Sequence, residues 1–296
     1  MSTLVVGATG ILGSKICARL RGAGNVTRAL VRETSQRERV EELEKLGVEL
    51  CTGDLKSPGT LEPALQGVRT VISTASSTLS RVDGDTIESV DLRGQLQLID
   101  AAKGAQVEQF VFVSFQRHPL EFPLQTAKRA VENQLISSGI SYTIFQPVHF
   151  TEVWLSPIVG FDLLGGNVRV LGNGTAKTTW ISVDDVATFV AGAVGNPKAR
   201  DRIFPLGGPE QQSQLDVVEL FRRASGRSVR VQHQPEAELR TAFEAASDPL
   251  AHSFAALMLA TAIGQIASSA AALDAIPVKL KPVHEFLQLL LKQSAP

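Results

Sequence analysis

Cysteine is nearly missing from this chain of 296 residues: Cys17 and Cys51 are the two, and neither stands at metal-ligand spacing from a second Cys or His. A disulfide-built scaffold is thereby excluded, no metal site is expected, and a reducing, cytoplasmic setting fits. An excess of either charge is missing too. Lys plus Arg number 29 against 30 for Asp plus Glu, a net charge of −1, so no field gathers a polyphosphate backbone and nucleic acid is not an expected partner. Long apolar runs are also absent. The most apolar late stretch, 254–266, covers about 13 residues and contains Thr261 and Gln265, short of the roughly 20 that span a bilayer; it reads as a buried or pocket-lining helix. Met1-Ser2-Thr3 runs straight into Leu4-Val5-Val6, which leaves no room for a charged leader and apolar core, so no export signal is expected. Tyrosine occurs once, as Tyr142, which limits the proton donors available to any chemistry.

What is there is an ordinary folded composition, 44% hydrophobic and 20% charged. Short β-branched runs at 3–6, 26–31, 48–51, 70–73, 109–114 and 141–145 alternate with amphipathic stretches, such as Val40, Leu43 and Leu46, or Val90, Leu96 and Ile99. That alternation predicts βαβ units around a parallel sheet, a Rossmann doubly wound α/β domain over 1–150. Ser57-Pro58 marks one helix start and Ser182-Val183-Asp184-Asp185 a second, a capping-box arrangement. Beyond 150 the order is less regular: strands at 168–171 and 202–206, a helix at 215–224, then a helix-rich tail. A smaller lobe over 151–296 is expected, with 182–206 returning to the first domain.

The strongest local signal is Gly7-Ala8-Thr9-Gly10-Ile11-Leu12-Gly13, set between the first strand and an amphipathic helix. Glycines at this spacing let the backbone turn sharply and approach a pyrophosphate, which then faces the free N–H groups of the helix start. Gly7, Thr9, Gly10, Ile11, Leu12 and Gly13 are the expected cofactor contacts. Which dinucleotide depends on the end of the second strand, where an acid would bond the ribose 2′-hydroxyl. Arg32 stands there instead. A guanidinium pairs with a 2′-phosphate, so NADP(H) is the expected cofactor, with Arg37 and Arg39 able to add charge nearby. Asp54, followed by Leu55, ends the third strand, where it either accepts from an adenine amino group or caps its own loop.

Taken in order, the Gly7 to Gly13 turn, Arg28-Ala29-Leu30-Val31-Arg32, Gly53-Asp54-Leu55, Phe112-Val113-Ser114, Ala127-Lys128 with Glu132, Tyr142-Thr143-Ile144-Phe145-Gln146-Pro147 and the Ser182 segment resemble the NmrA-like group of atypical short-chain dehydrogenase/reductases. That group takes in isoflavone-reductase-like and triphenylmethane-reductase-like proteins. The resemblance extends to about residue 235; the tail beyond 240 lies outside it. It implies that Ala75 and Ser76 lie along the cofactor, that Pro147 and Val148 meet the nicotinamide carboxamide, and that Lys128 contacts the nicotinamide ribose. Gln146 departs from the group, which usually carries arginine before the proline.

A proton-donating Tyr four residues before the Lys is excluded, since position 124 is Leu124 and Tyr142 lies inside a strand. Two classes remain. One is a reductase giving hydride to a small hydrophobic acceptor such as a quinone, imine or activated alkene, with Lys128, Ser114, His149 or water supplying the proton. The other is an NADP(H) sensor or assembly factor without turnover, working with a regulatory protein partner or as a homodimer. His149, Phe150, Glu152 and Trp154 follow the last strand of the domain, where loops over the sheet's carboxyl edge meet ligands, and are the expected substrate-pocket residues. The segments 150–164 and 251–266 hold more large apolar residues than two short surface helices require, which favours the enzyme. Trp180 is expected in the core.

Overall fold

A computed structural model describes residues 2–80 and 82–293. The chain runs β1 (Ser2–Val6), α1 (Ile11–Gly22), β2 (Val26–Val31), α2 (Arg37–Lys45), β3 (Glu49–Thr52), α3 (Leu61–Leu65) and β4 (Thr70–Ser73). A π-helical segment, Ile87–Gly94, leads into α4 (Gln95–Gly104), followed by β5 (Gln109–Val113), α5 (Pro123–Ser137) and β6 (Ser141–Pro147). After α6 (Thr151–Trp154), β7 (Phe161–Asp162) and β8 (Asn167–Leu171) come α7 (Val183–Ala193), β9 (Arg202–Leu206), α8 (Gln214–Ser225) and β10 (Arg230–Gln234). Four helices close the chain: α9 (Glu236–Ala245), α10 (Pro249–Ile263), α11 (Ala270–Ala275) and α12 (Val283–Gln293).

Seven strands form one parallel sheet in the order β3-β2-β1-β4-β5-β6-β9, the doubly wound Rossmann-like arrangement. Each central strand is buried on both faces, as parallel strands covered by helices are. Val5, Ala29, Ile72, Val111 and Phe145 face α1 and α7, whereas Leu4, Val6, Val71, Phe110 and Ile144 face α3, α4 and α5. Chain order reverses between β1 and β4, which opens the crevice at their carboxyl ends. A second sheet, β10-β8-β7, rests on α8 and α12 through Val168, Val170, Phe221 and Leu287. Trp180 is 1% exposed, and its Nε1 donates to Gln212 O at 2.9 Å.

Two local expectations need correction. Ser182 caps α7, accepting from Asp184 N at 3.0 Å, but no capping box closes, because Asp185 instead accepts from Lys281 N at 2.8 Å. At Ser57-Pro58 a 3-10 turn, Pro58–Thr60, precedes α3 without a side-chain cap. Among the described residues no helix is long and apolar enough to cross a membrane; α10, which holds most of the 254–266 stretch, packs on α5, α9 and β8.

Candidate functional site

The crevice begins at the glycine loop. Gly7 holds φ +85°, and a Cβ there would lie 2.8 Å from both Ala75 N and Thr74 Oγ1, so the loop lies directly against the residues that follow β4. Gly13 is tighter: its Cβ would stand 2.1 Å from Gly7 O, so α1 is seated directly on the turn. Gly10 N donates to Gly7 O at 3.0 Å, and the first bond within α1 is Ser14 N to Gly10 O, also 3.0 Å. The amides of Ile11, Leu12 and Gly13 precede that bond, with no side-chain cap and no acid in the first turn. A helix start so arranged can seat an anion, and its shape fits a pyrophosphate that needs close backbone approach.

At the neighbouring strand ends, Arg32 N donates to Ser35 Oγ at 3.0 Å and Arg32 Nη1 to Asp85 Oδ2 at 2.6 Å. Lys56 Nζ donates to Asp85 Oδ1 at 2.6 Å and Ser80 Oγ to Asp85 Oδ2 at 2.5 Å. Burial alone would raise the Asp85 carboxyl, but the hydrogen bonds from Lys56, Ser80 and Arg32 outweigh it and hold the group below its ordinary range. Asp54 caps its own loop, accepting Lys56 N at 2.8 Å. Leu55 is 5% exposed and packs on Gly94, so it belongs to the wall behind the crevice. Arg37 and Arg39 pair with Glu41 and Glu42 along α2.

Beyond the switch point, Thr74 N donates to Val6 O at 2.9 Å, and Gln95 Nε2 donates to Ala75 O at 3.2 Å while Gln95 Oε1 accepts the Ser73 hydroxyl at 2.8 Å. Ser76 Oγ lies 3.2 Å from Thr78 Oγ1. Lys128, on α5, is buried; its Nζ sits 3.2 Å from Asp91 Oδ1 and 5.1 Å from the Phe112 ring centroid. Asp91 comes from the π-helical segment, and its other oxygen accepts Ser77 N at 2.9 Å and Ser77 Oγ at 2.6 Å. Asp91 Oδ1 makes no hydrogen bond of good geometry, so Lys128 meets it as a charge contact.

Ser114, just past β5, accepts from Arg129 Nη2 at 2.9 Å, which leaves its own proton available. Arg129 also pairs with Glu132 at 3.0 Å, and Glu132 accepts Gln146 Nε2 at 3.0 and 3.1 Å. A guanidinium is therefore present beside Glu132 although Gln146 replaces the arginine usual before the proline. Pro147 O accepts Gln116 N at 3.0 Å, and Val148 is core, its N–H donating to Leu206 O at 2.9 Å.

The structure turns His149 towards α10. Its Nε2 is 2.7 Å from Thr261 Oγ1 and its Nδ1 3.0 Å from Gln265 Oε1, with the Trp154 ring at 4.4 Å. Burial pushes the imidazole down to about 4, against the hydrogen bond to Gln265. A neutral ring donates from Nδ1 to Gln265 Oε1, while its Nε2 and Leu257 O, 2.9 Å from Thr261 Oγ1, share the single Thr261 hydroxyl proton. Glu152 reaches the start of α7, where it accepts Ser182 Oγ at 2.8 Å and Val183 N at 2.9 Å. Phe150 packs against the sheet core, and Trp154 lies between the second sheet and α10.

One further acid is displaced from its usual range. Burial pushes Asp185 up to about 6, only partly offset by the Lys281 N–H and by the Lys281 charge. An unfolded aspartate ionises near 3.8, so the native state is penalised as pH rises from there towards 6, and fully above it. Asp185→Asn is expected to raise the melting temperature by a few degrees at pH 7.5, on the order of 1–2 kcal/mol. That gain should vanish as pH falls to 4; a gain independent of pH would refute the assignment.

With that geometry in place, the chain was compared with known proteins. The model of the NmrA-like family matches residues 2–287, so the tail beyond 240 falls inside the match, contrary to the sequence reading. A photosystem II assembly factor, Ycf39 of Cyanophora paradoxa, is 32% identical over 82% of this chain and 74% of its own. An NAD(P)H azoreductase of Xenophilus azovorans is also 32% identical, over 77% and 75%. Among solved structures, the Citrobacter triphenylmethane reductase complexed with NADP(H) superposes with a TM-score of 0.77, covering 98% of this chain and 99% of that one, at 19% identity. That last likeness shows the fold alone.

Proposed function

The chain belongs to the NmrA-like family, and from that membership and the crevice geometry we propose that it binds NADP(H) and reduces a small hydrophobic acceptor such as a quinone, imine or activated alkene. The observation that carries the cofactor half is the uncapped start of α1 on the Gly7–Gly13 turn, flanked by the cations Arg32 and Lys56. Bound there, the nicotinamide supplies hydride. The Ile11, Leu12 and Gly13 amides hold the pyrophosphate, and Ala75, Ser76 and Pro147 line the way to the reacting end. Lys128, fixed by Asp91 and Phe112, holds the nicotinamide-side ribose and presents a proton-bearing ammonium. Ser114, with its oxygen occupied by Arg129, is the second proton source. His149, neutral and bonded on both sides, anchors α10 as a pocket wall. Residues from 151 onward, apart from 182–206 with α7 and β9, form the lobe that covers the acceptor.

The Ycf39 assembly factors at 32% identity favour a second reading, an NADP(H)-binding protein that works through a protein partner without turnover. The azoreductase at the same identity favours the first. The purified chain with NADPH and a panel of small quinones, azo dyes, imines and enones is expected to show acceptor-dependent loss of NADPH absorbance. Flat traces across the panel, with NADPH bound, would select the second reading.

A further inference from the structure

Asp85 lies in the loop between β4 and the π-helical segment, yet its side chain is only 2% exposed. Arg32 Nη1, Lys56 Nζ and Ser80 Oγ converge on it at 2.6, 2.6 and 2.5 Å. These donors come from three different strand ends. Arg32 follows β2, Lys56 follows β3, and Ser80 lies with Asp85 in the loop after β4. In the sheet order β3-β2-β1-β4, β1 stands between that loop and Arg32, so the loop crosses roughly 10 Å over the carboxyl end of β1 to bring its carboxylate to the cation pair. Two cations and a hydroxyl grouped around one anion are the donor set that recognises a phosphate monoester.

We infer that Asp85 is the specificity-determining residue of the cofactor site: its carboxylate fills the 2′-phosphate position between Arg32 and Lys56 and must leave for NADP(H) to bind fully. The inference rests on the NADP(H) reading. A 2′-phosphate arriving with Asp85 in place would add about two negative charges to a cation pair that Asp85, and Asp54 at 3.9 Å from Lys56 Nζ, already balance. Exchange removes that repulsion but costs the three hydrogen bonds that hold Asp85. NADH brings no anion to this position and leaves the loop where it is. Asp85 thus lowers the affinity for the phosphorylated cofactor, and narrows its preference, without touching the pyrophosphate seat.

The test is calorimetric titration of wild type, Asp85→Asn and Ser80→Ala with adenosine 2′,5′-bisphosphate, and with adenosine 5′-monophosphate as the control lacking the 2′-phosphate. Asp85→Asn is expected to bind the bisphosphate at least 10-fold more tightly than wild type, with less than 2-fold change for the monophosphate. Ser80→Ala, which removes one donor to Asp85 and leaves both cations, should shift in the same direction by about 3-fold, and it carries the test should the Asp85→Asn variant fold poorly. In wild type, amide exchange across residues 82–86 should accelerate with the bisphosphate and not with the monophosphate. Bisphosphate binding by wild type that neither variant strengthens overturns the inference and leaves the NADP(H) reading standing. Weakened monophosphate binding in Asp85→Asn would instead make the carboxylate a ribose acceptor and also overturn it. Binding of neither nucleotide by any of the three proteins removes the NADP(H) reading itself.

Discussion

Valine in place of Gly13 is expected to abolish dinucleotide binding and lower the melting temperature by 5 °C or more, whereas alanine in place of Gly22, in the same helix, should raise it slightly. Helix propensity alone gives both changes the same sign, a gain of up to about 1 kcal/mol. Contact reverses it at Gly13. A Cβ there meets the Gly7 carbonyl oxygen at 2.1 Å and Ala8 Cα at 2.8 Å, backbone atoms that cannot rotate away, while at Gly22 nothing lies within 4 Å. Relieving the overlap lifts α1 from the turn at a cost of roughly 3 kcal/mol and carries the Ile11, Leu12 and Gly13 amides off the phosphate position. Thermal melts and an NADPH titration of the two variants check this. Unaltered binding by Gly13→Val would mean that the turn is not the phosphate seat.

The second large effect is expected at Lys128. Lys128→Met leaves the Asp91 carboxylate, 0% exposed, without its counter-charge, a loss of about 3–5 kcal/mol, together with at least 100-fold in turnover of the best acceptor. Lys128→Met combined with Asp91→Asn removes both charges, and the amide oxygen that replaces the carboxylate still accepts from Ser77. Stability should largely return in the double variant and turnover should not. Recovery of both would make Lys128 a structural cation only, because restoring the fold would then have restored the chemistry.

Legibility in the sequence followed the origin of each contact. Strands at 26–31, 70–73 and 202–206 match β2, β4 and β9 end to end; the signal is plainest at β4, where a β-branched run buried on both faces leaves a continuous apolar signature. The strand read at 141–145 stops early. β6 continues through Gln146 and Pro147, which pair with Pro205 and Leu206, and proline at a strand end carries no β signal. The geometry of the glycine turn was readable because it is local to the backbone.

Asp85, Asp91 and Gln95 were not readable. A π-helical turn has no periodicity signature of its own, and the Asp91 to Lys128 contact joins two helices whose registers are set by packing. His149 and Glu152 follow β6, as expected, but their partners Thr261, Gln265, Ser182 and Val183 lie 30 to 116 residues away. Tertiary packing, which spacing along the chain does not encode, turned one towards α10 and the other into a cap. Partial signals did exist: Thr261 and Gln265 are the polar residues in an otherwise apolar helical stretch, and such residues are expected to find buried partners.

The most direct measurement is isothermal titration calorimetry of the purified wild-type chain with NADPH and with NADH at low salt. Saturable binding of one NADPH per chain, tighter than NADH and losing that advantage as salt rises, is expected from an amide-lined seat flanked by Arg32 and Lys56. No heat from either nucleotide, or equal affinity for both at every salt concentration, would contradict it.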